Sequence, residues 1–194
     1  MHVIGSIVRL QIQRSPLKTG EKPNRVYDPA PLLTVDRLMV SADGTLGFDR
    51  DRWIVDVHHR AHPDTRNSDG RHGISIGFTS HYEAMRERFG DRIAFGCAGE
   101  NVIVETPRRF TLDDLRGGIA VLRDGTEVVR LATLDVAHPC KPFTGWALGR
   151  TVESEVLKAN LQFLDGGTRG FRLAGGISGE LAIGDSVAVV PTEA

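Results

Sequence analysis

Apolar residues along this chain come in short bursts rather than in long amphipathic stripes. The runs "IGSIVRLQI" (4–12), "PLLTVDRLMVS" (31–41), "WIVDVHH" (53–59), "GISIGFT" (73–79) and "ENVIVET" (100–106) are rich in β-branched residues and have strand-like lengths. They predict strands. "GIAVLRDGTEVVRLATLDVA" (118–137) predicts a hairpin, because Asp124-Gly125 supplies the two left-handed positions of a tight primed turn. "RGFRLAGG" (169–176) and "ELAIGDSVAVV" (180–190) predict a second, closing strand pair near the C-terminus.

Two segments follow a helical rhythm instead. "TSHYEAMRERFG" (79–90) sets Ser80 three residues before Glu83, a capping-box spacing, and stops at Gly90. "TVESEVLKANLQFLD" (151–165) places Val152, Val156, Leu157, Leu161 and Leu164 on roughly one helical face. "TLDDL" (111–115) predicts one further turn. Strands interrupted by occasional helices, without regular alternation, argue for a mainly β, α+β fold: a barrel or strongly bent sheet with peripheral helices. A doubly wound parallel sheet would alternate. "HHRAHPDTRNSDGRHG" (58–73) is polar and turn-rich, so it predicts a long loop of the kind that often carries function.

Composition narrows the classes. The 194 residues suit one compact unit over 1–194. Lys and Arg number 24 against 25 Asp and Glu, so the charge footprint of a dedicated nucleic-acid binder is missing. No run approaches the roughly 18 apolar residues that span a bilayer, and no signal-peptide pattern opens the chain, so a cytoplasmic protein without membrane partners is expected. Two cysteines, Cys97 and Cys140, do not make a disulfide framework.

Each candidate for chemistry has a plain structural alternative. Ser75 sits in "GISIG", a G-x-S-x-G match, but a nucleophile elbow needs a helix directly after the serine, and Ser75 lies inside an apolar run. A strand residue is the better reading. His58, His59, His62, His72 and His81 could ligate zinc, yet strand before and Pro63 after make a helical metal face a poor fit. His58 or His59 could equally be a proton donor at a pocket mouth. Cys140 lies in "HPCKP", where two prolines forbid a regular ladder, so the thiol belongs at a strand-to-loop junction. His138 and Lys141 beside it are the kind of neighbours that favour thiolate over thiol. Packed residue and working thiol both stay open on spacing alone, whereas Cys97 in "AFGCAGEN" reads as a packed small residue. Gly99 permits a tight turn ahead of Glu100 and Asn101. Arg169 and Arg172, set among glycines, would suit an oxyanion, with surface arginines as the alternative.

In their order along the chain, these motifs resemble the MOSC domain, named for the C-terminal domain of molybdenum cofactor sulfurase. "GENVIVET" is similar to that family's glycine-glutamate-asparagine strand start, and "VAHPCKPF" to its single-cysteine segment. "GTRGFRLAGG" and "IGDSVAVV" are similar to its arginine-glycine strand and closing glycine-aspartate strand. "GTLGFDRDRW" departs from the usual glycine-aspartate-arginine-histidine run, with Arg50 and Trp53 replacing the glycine and histidine and Asp51-Arg52 retained. The resemblance covers residues 32–190. It implies a β-barrel that binds molybdenum cofactor, a molybdenum pterin, with Cys140 as catalytic thiol and metal ligand. Arg169 and Arg172 would contact the pterin phosphate, and Glu100 and Asn101 would shape the pocket. It further implies reduction of small N-hydroxylated substrates with electrons from a separate reductase, since two cysteines cannot hold a four-cysteine cluster. The alternative is a non-catalytic sulfur carrier served by a sulfur donor, with Cys140 as a persulfide; a third is a purely structural domain. Pyridoxal phosphate, which the large sulfurases bind in another domain, is not expected.

Overall fold

The computed structural model describes residues 1–65, 67, 73–149 and 151–192. Strand β1 (His2–Gln13) is followed by a small ladder of β2 (Lys18–Thr19) and β3 (Val26–Tyr27). Then come β4 (Leu32–Val35), β5 (Arg37–Ser41), β6 (Gly44–Asp49) and β7 (Arg52–Val55). β8 (Ile74–Phe78) runs directly into α1 (Thr79–Phe89), which leads to β9 (Val102–Glu105). The hairpin β10 (Ile119–Arg123) and β11 (Thr126–Val136) precedes α2 (Lys141–Leu148) and α3 (Ser154–Leu164). The chain finishes with β12 (Phe171–Ile177), β13 (Gly179–Ala182) and β14 (Ser186–Val189).

Seven strands close into a barrel in the order β14-β10-β11-β12-β8-β9-β1, with β1 pairing back onto β14. Closure leaves these strands without an open edge, the usual liability of a sheet. Every pair is antiparallel except β8–β9, the pair that α1 connects; parallel neighbours need such a crossover. β1 reaches three partners by dividing its length: residues 2–6 pair with β14, 6–10 with β9 and 10–13 with β4. A second sheet, β13-β5-β6-β7, lies against the barrel. Leu38, Val40 and Leu181 from it share one buried cluster with Ile12, Ile76 and Phe171.

The predicted strands form, and the mainly β, barrel reading holds. At the β10–β11 turn Asp124 and Gly125 take φ of 51° and 78°, the left-handed pair that the dipeptide predicts. Several expectations change. The two C-terminal runs form strands but do not pair with each other: β12 lies between β11 and β8, while β14 lies between β10 and β1. Strand β7 ends at Val55, because His59 N–H bonds back to Asp56 O at 2.9 Å and turns the chain. Ser80 is not a cap: Phe78 holds the N-cap position, and Ser80 Oγ donates to Arg108 O at 2.7 Å from inside α1. On α3 only Asn160 and Leu164 are buried, and Val156 is exposed, so the predicted apolar face is shallow. "TLDDL" does contribute a single turn at Asp113–Leu115.

His81 shows how α1 is locked to the barrel. Its Nε2 accepts from Phe110 N–H and its Nδ1–H donates to Gly167 O, both at 2.9 Å, which fixes one neutral tautomer. Burial, followed by the Arg109 charge, holds the imidazole down at about 4. The unfolded chain therefore takes this proton more readily than the folded one. The contribution is complete above about pH 6.5 and is lost as pH falls toward 4, amounting to about 3 kcal/mol in order of magnitude. In urea titrations His81→Gln, whose amide can make the same two bonds, should lose less stability than the parent between pH 7 and pH 4. Parallel curves would show that His81 is not the group responsible.

Candidate functional site

Residues far apart in sequence line one cavity of about 380 Å³ where β1 and β11 end and β8 and β12 begin. Its polar wall is set first by β1. Gln11 and Gln13 are buried, and being two apart they face the same side. Gln11 Nε2 donates to Gly96 O and Glu100 O at 2.8 and 2.7 Å, and Gln13 Nε2 to Gly99 O at 2.8 Å. These amides hold the Gly99-Glu100-Asn101 turn against the strand. Gly99 takes a φ of 99°, and a Cβ there would stand 2.9 Å from both Gln13 Nε2 and Leu17 Cδ1, so the turn requires glycine.

Asn101 does not line the cavity; it stands behind it. Its Oδ1 accepts from Ser75 N–H and Oγ–H at 3.0 and 3.1 Å, and its Nδ2 donates to Asp56 Oδ2 at 3.1 Å. Asp56 is fully buried and takes three more bonds: from Gln13 N–H at 2.7 Å, His58 N–H at 2.8 Å and His58 Nδ1 at 3.0 Å. Glu100 does line the cavity, and it differs sharply from Asp56. One oxygen accepts from Tyr82 OH at 2.5 Å; the other has no partner among the described residues. Burial pushes the Glu100 carboxyl up, against the opposing pull of the Tyr82 bond and the Arg169 charge.

The two arginines are already engaged. Arg169 is buried, donates to Ala98 O at 2.7 Å and to His138 O at 3.4 Å, and lies 4.2 Å over the Phe143 ring, while its Nε has no partner. Arg172 forms a two-pronged pair with Asp135 on the neighbouring strand β11. Both line the cavity, and Lys18 and Arg25 from the β2–β3 ladder add charge to its wall.

Cys140 lines the same cavity and is partly exposed. It is the N-cap of α2, with Pro142 in the first turn where its missing N–H costs nothing. The expected loop after "HPC" is therefore a helix. On its other side Cys140 packs against the cluster of Tyr27, Phe143 and Trp146, so the thiol is both packed and presented. Cys97 belongs to that cluster too, buried, with burial pushing its thiol up to about 12; it behaves as a small core residue.

The remaining candidates separate. Ser75 lies within strand β8, not at a strand-to-helix elbow. Among the described residues no cluster of three or more His, Cys, Asp or Glu side chains is placed to hold a metal ion such as zinc. His59 and His62 accept backbone N–H bonds from Ala61 and Asp64 at 3.1 Å, and His72 lies outside the described residues. No helix among them is long and apolar enough to cross a membrane. Gln11, Gln13 and Asp56 were not candidates in the sequence. The only signal was the alternation "LQIQ", which reads equally well as a strand with a solvent face.

No family model matches the chain, and no curated protein matches it in sequence. Solved structures do. The YuaD protein from Bacillus subtilis is 15% identical, with a TM-score of 0.52 over 93% of this chain and 96% of that one. YiiM from Geobacillus stearothermophilus is 17% identical, with a TM-score of 0.51 over 98% and 75% of the two chains. YiiM from Escherichia coli is 12% identical, with a TM-score of 0.52 over 83% and 66%. These neighbours are MOSC-domain β-barrel proteins. The chain has a MOSC-like barrel fold. At such identities the likeness speaks for the fold alone.

Asn101 gives a direct check on that wall. Asn101→Asp would set a second carboxylate against the buried Asp56 in place of an N–H donor. An uncompensated buried charge should cost about 3 kcal/mol or more at pH 7.5 in urea unfolding, with part of the loss recovered at pH 5 as the new carboxyl takes up a proton.

Proposed function

We propose that this chain is a cytoplasmic protein that binds a molybdenum–pterin cofactor in the cavity, with the Cys140 thiolate as its ligand to the metal. The observation that carries the reading is the meeting of Cys140, Glu100 and Arg169, from three distant segments, on one cavity wall. The donor set suits the group, since a thiolate is a soft ligand for a transition metal. The wall also has polar capacity left over: Glu100 Oε1 and Arg169 Nε are buried without partners among the described residues, a situation that folded proteins rarely leave unexplained.

When bound, the group supplies two-electron exchange, here the reduction of a small N-hydroxylated compound. The chain's own residues hold and orient. Cys140 binds from the head of α2; Lys18, Arg25 and Arg172 offer charge to the phosphate; Arg169 ties "GEN" to "HPC" through Ala98 O and His138 O. Electrons come from a separate reductase. A second reading, that Cys140 carries sulfur as a persulfide for a sulfur donor and acceptor, draws on the same partial exposure of the thiol.

Metal analysis of protein made in a cofactor-producing host separates the two. Stoichiometric molybdenum in the parent, lost in Cys140→Ser with the fold intact by circular dichroism, is the expected result. A reducible persulfide without molybdenum would replace the ligand reading with the carrier reading, and absence of both would sink the two together.

A further inference from the structure

We infer that His58 is the proton-transfer group of this cavity and that Asp56 is the residue that positions it. The inference rests on the cavity being the working site proposed above, but its geometry stands independently. Asp56 is fully buried, and each of its oxygens accepts two bonds: Oδ1 from His58 N–H and His58 Nδ1, Oδ2 from Gln13 N–H and Asn101 Nδ2. With an acceptor filling that role, the imidazole nitrogen at 3.0 Å is the donor, so neutral His58 carries its proton on Nδ1. Nε2, on the far edge of the ring, has no partner among the described residues. The ring lines the cavity and is 39% exposed, so solvent can resupply the proton.

The other described histidines of this region lack that arrangement. His59 and His62 spend Nδ1 as an acceptor of a backbone N–H. His138, at the cavity rim, is 65% exposed and 3.4 Å from the exposed Asp165, with no buried carboxylate to orient it. A buried acceptor with every lone-pair direction used, gripping one edge of a half-exposed imidazole, is the arrangement that fixes a tautomer for acid–base work. The charges that share the cavity with His58 are those of Lys18 and Arg25 from the β2–β3 ladder, Asp64 from its own loop, Glu100 before β9, and Arg169 and Arg172 at β12; His138 and Cys140 also line it. In the proposed reduction the substrate nitrogen–oxygen bond breaks as two electrons arrive from the external reductase; the hydroxyl oxygen gains one proton and leaves as water, and the nitrogen takes a second proton to become N–H. His58, as the imidazolium with Nδ1–H held by Asp56, supplies the proton for the leaving oxygen from Nε2, reverts to the neutral Nδ1–H form and is reprotonated on Nε2 from solvent.

Two measurements test this. In the apo protein, nitrogen NMR of ring-labelled histidine, with His58 assigned by its absence in His58→Gln, should show the proton on Nδ1 at high pH, and Asp56→Asn should erode that preference. In loaded protein, His58→Gln should lower kcat by about 100-fold, remove the imidazole limb of the pH profile, and leave KM and molybdenum content near those of the parent; His2→Gln, at the exposed start of β1 and away from the cavity, should change none of these. A neutral His58 protonated on Nε2 overturns the inference whatever the activity. So does His58→Gln turning over with an unaltered pH profile. A parent protein without molybdenum would instead defeat the cofactor reading, and the apo tautomer would still decide whether Asp56 positions His58. If Asp56→Asn does not fold, His58→Gln carries the test.

Discussion

The two buried amides of Gln11 and Gln13 hold the working end of this barrel in place. They sit on the strand that also closes the barrel, and its direct pairing with β9 is what puts the turn before β9 within their reach. A buried amide without a partner costs free energy, so each glutamine fixes one side of a turn that would otherwise have several conformations. Gln13 N–H then binds Asp56, Asp56 binds Asn101 and His58, and Asn101 binds Ser75. One strand thus positions three separate segments. The barrel supplies rigidity and the hydrogen bonds supply address.

Two buried carboxylates, Glu100 on the cavity and Asp56 just outside its lining, meet the cost of burial in opposite ways. Asp56 is surrounded by donors, so its field is used up locally and it acts as an anchor. Glu100 has a single strong bond, an unused oxygen, and a guanidinium nearby that is not close enough to pair with it among the described ion pairs. The first arrangement is what structural pinning requires. The second leaves interaction capacity beside the cavity, which is the condition for a wall that completes itself on a ligand.

Much of the fold was legible because it depends on local chemistry. Period-two runs of β-branched residues become strands, Asp124-Gly125 makes the primed turn, and Gly90 stops α1 with a φ of 79°. What went unseen depended on pairing. β12 and β14 each read as a strand, but which neighbour each takes is decided across the barrel, not between adjacent residues. α2 was missed because the prolines around Cys140 argue against a ladder; the same Pro142, placed in a first turn, starts a helix instead. The expected face of α3 was too generous, since a helix on the outside of a closed barrel has little surface to cover.

For the site the division is sharper. The sequence alone determined which side chains could do chemistry, because thiol, guanidinium and carboxylate are properties of residues, and it marked Cys140, Glu100, Asn101, Arg169 and Arg172. Only the tertiary structure decided their rank: Cys140 and Glu100 on the cavity, Arg169 and Arg172 tied into its wall, Asn101 behind it, His58 rather than His59 at its mouth, and Asp56 added. The reason is physical. Whether a polar group is available or already spent depends on partners tens of residues away, and only closure of the barrel brings those partners within hydrogen-bonding distance.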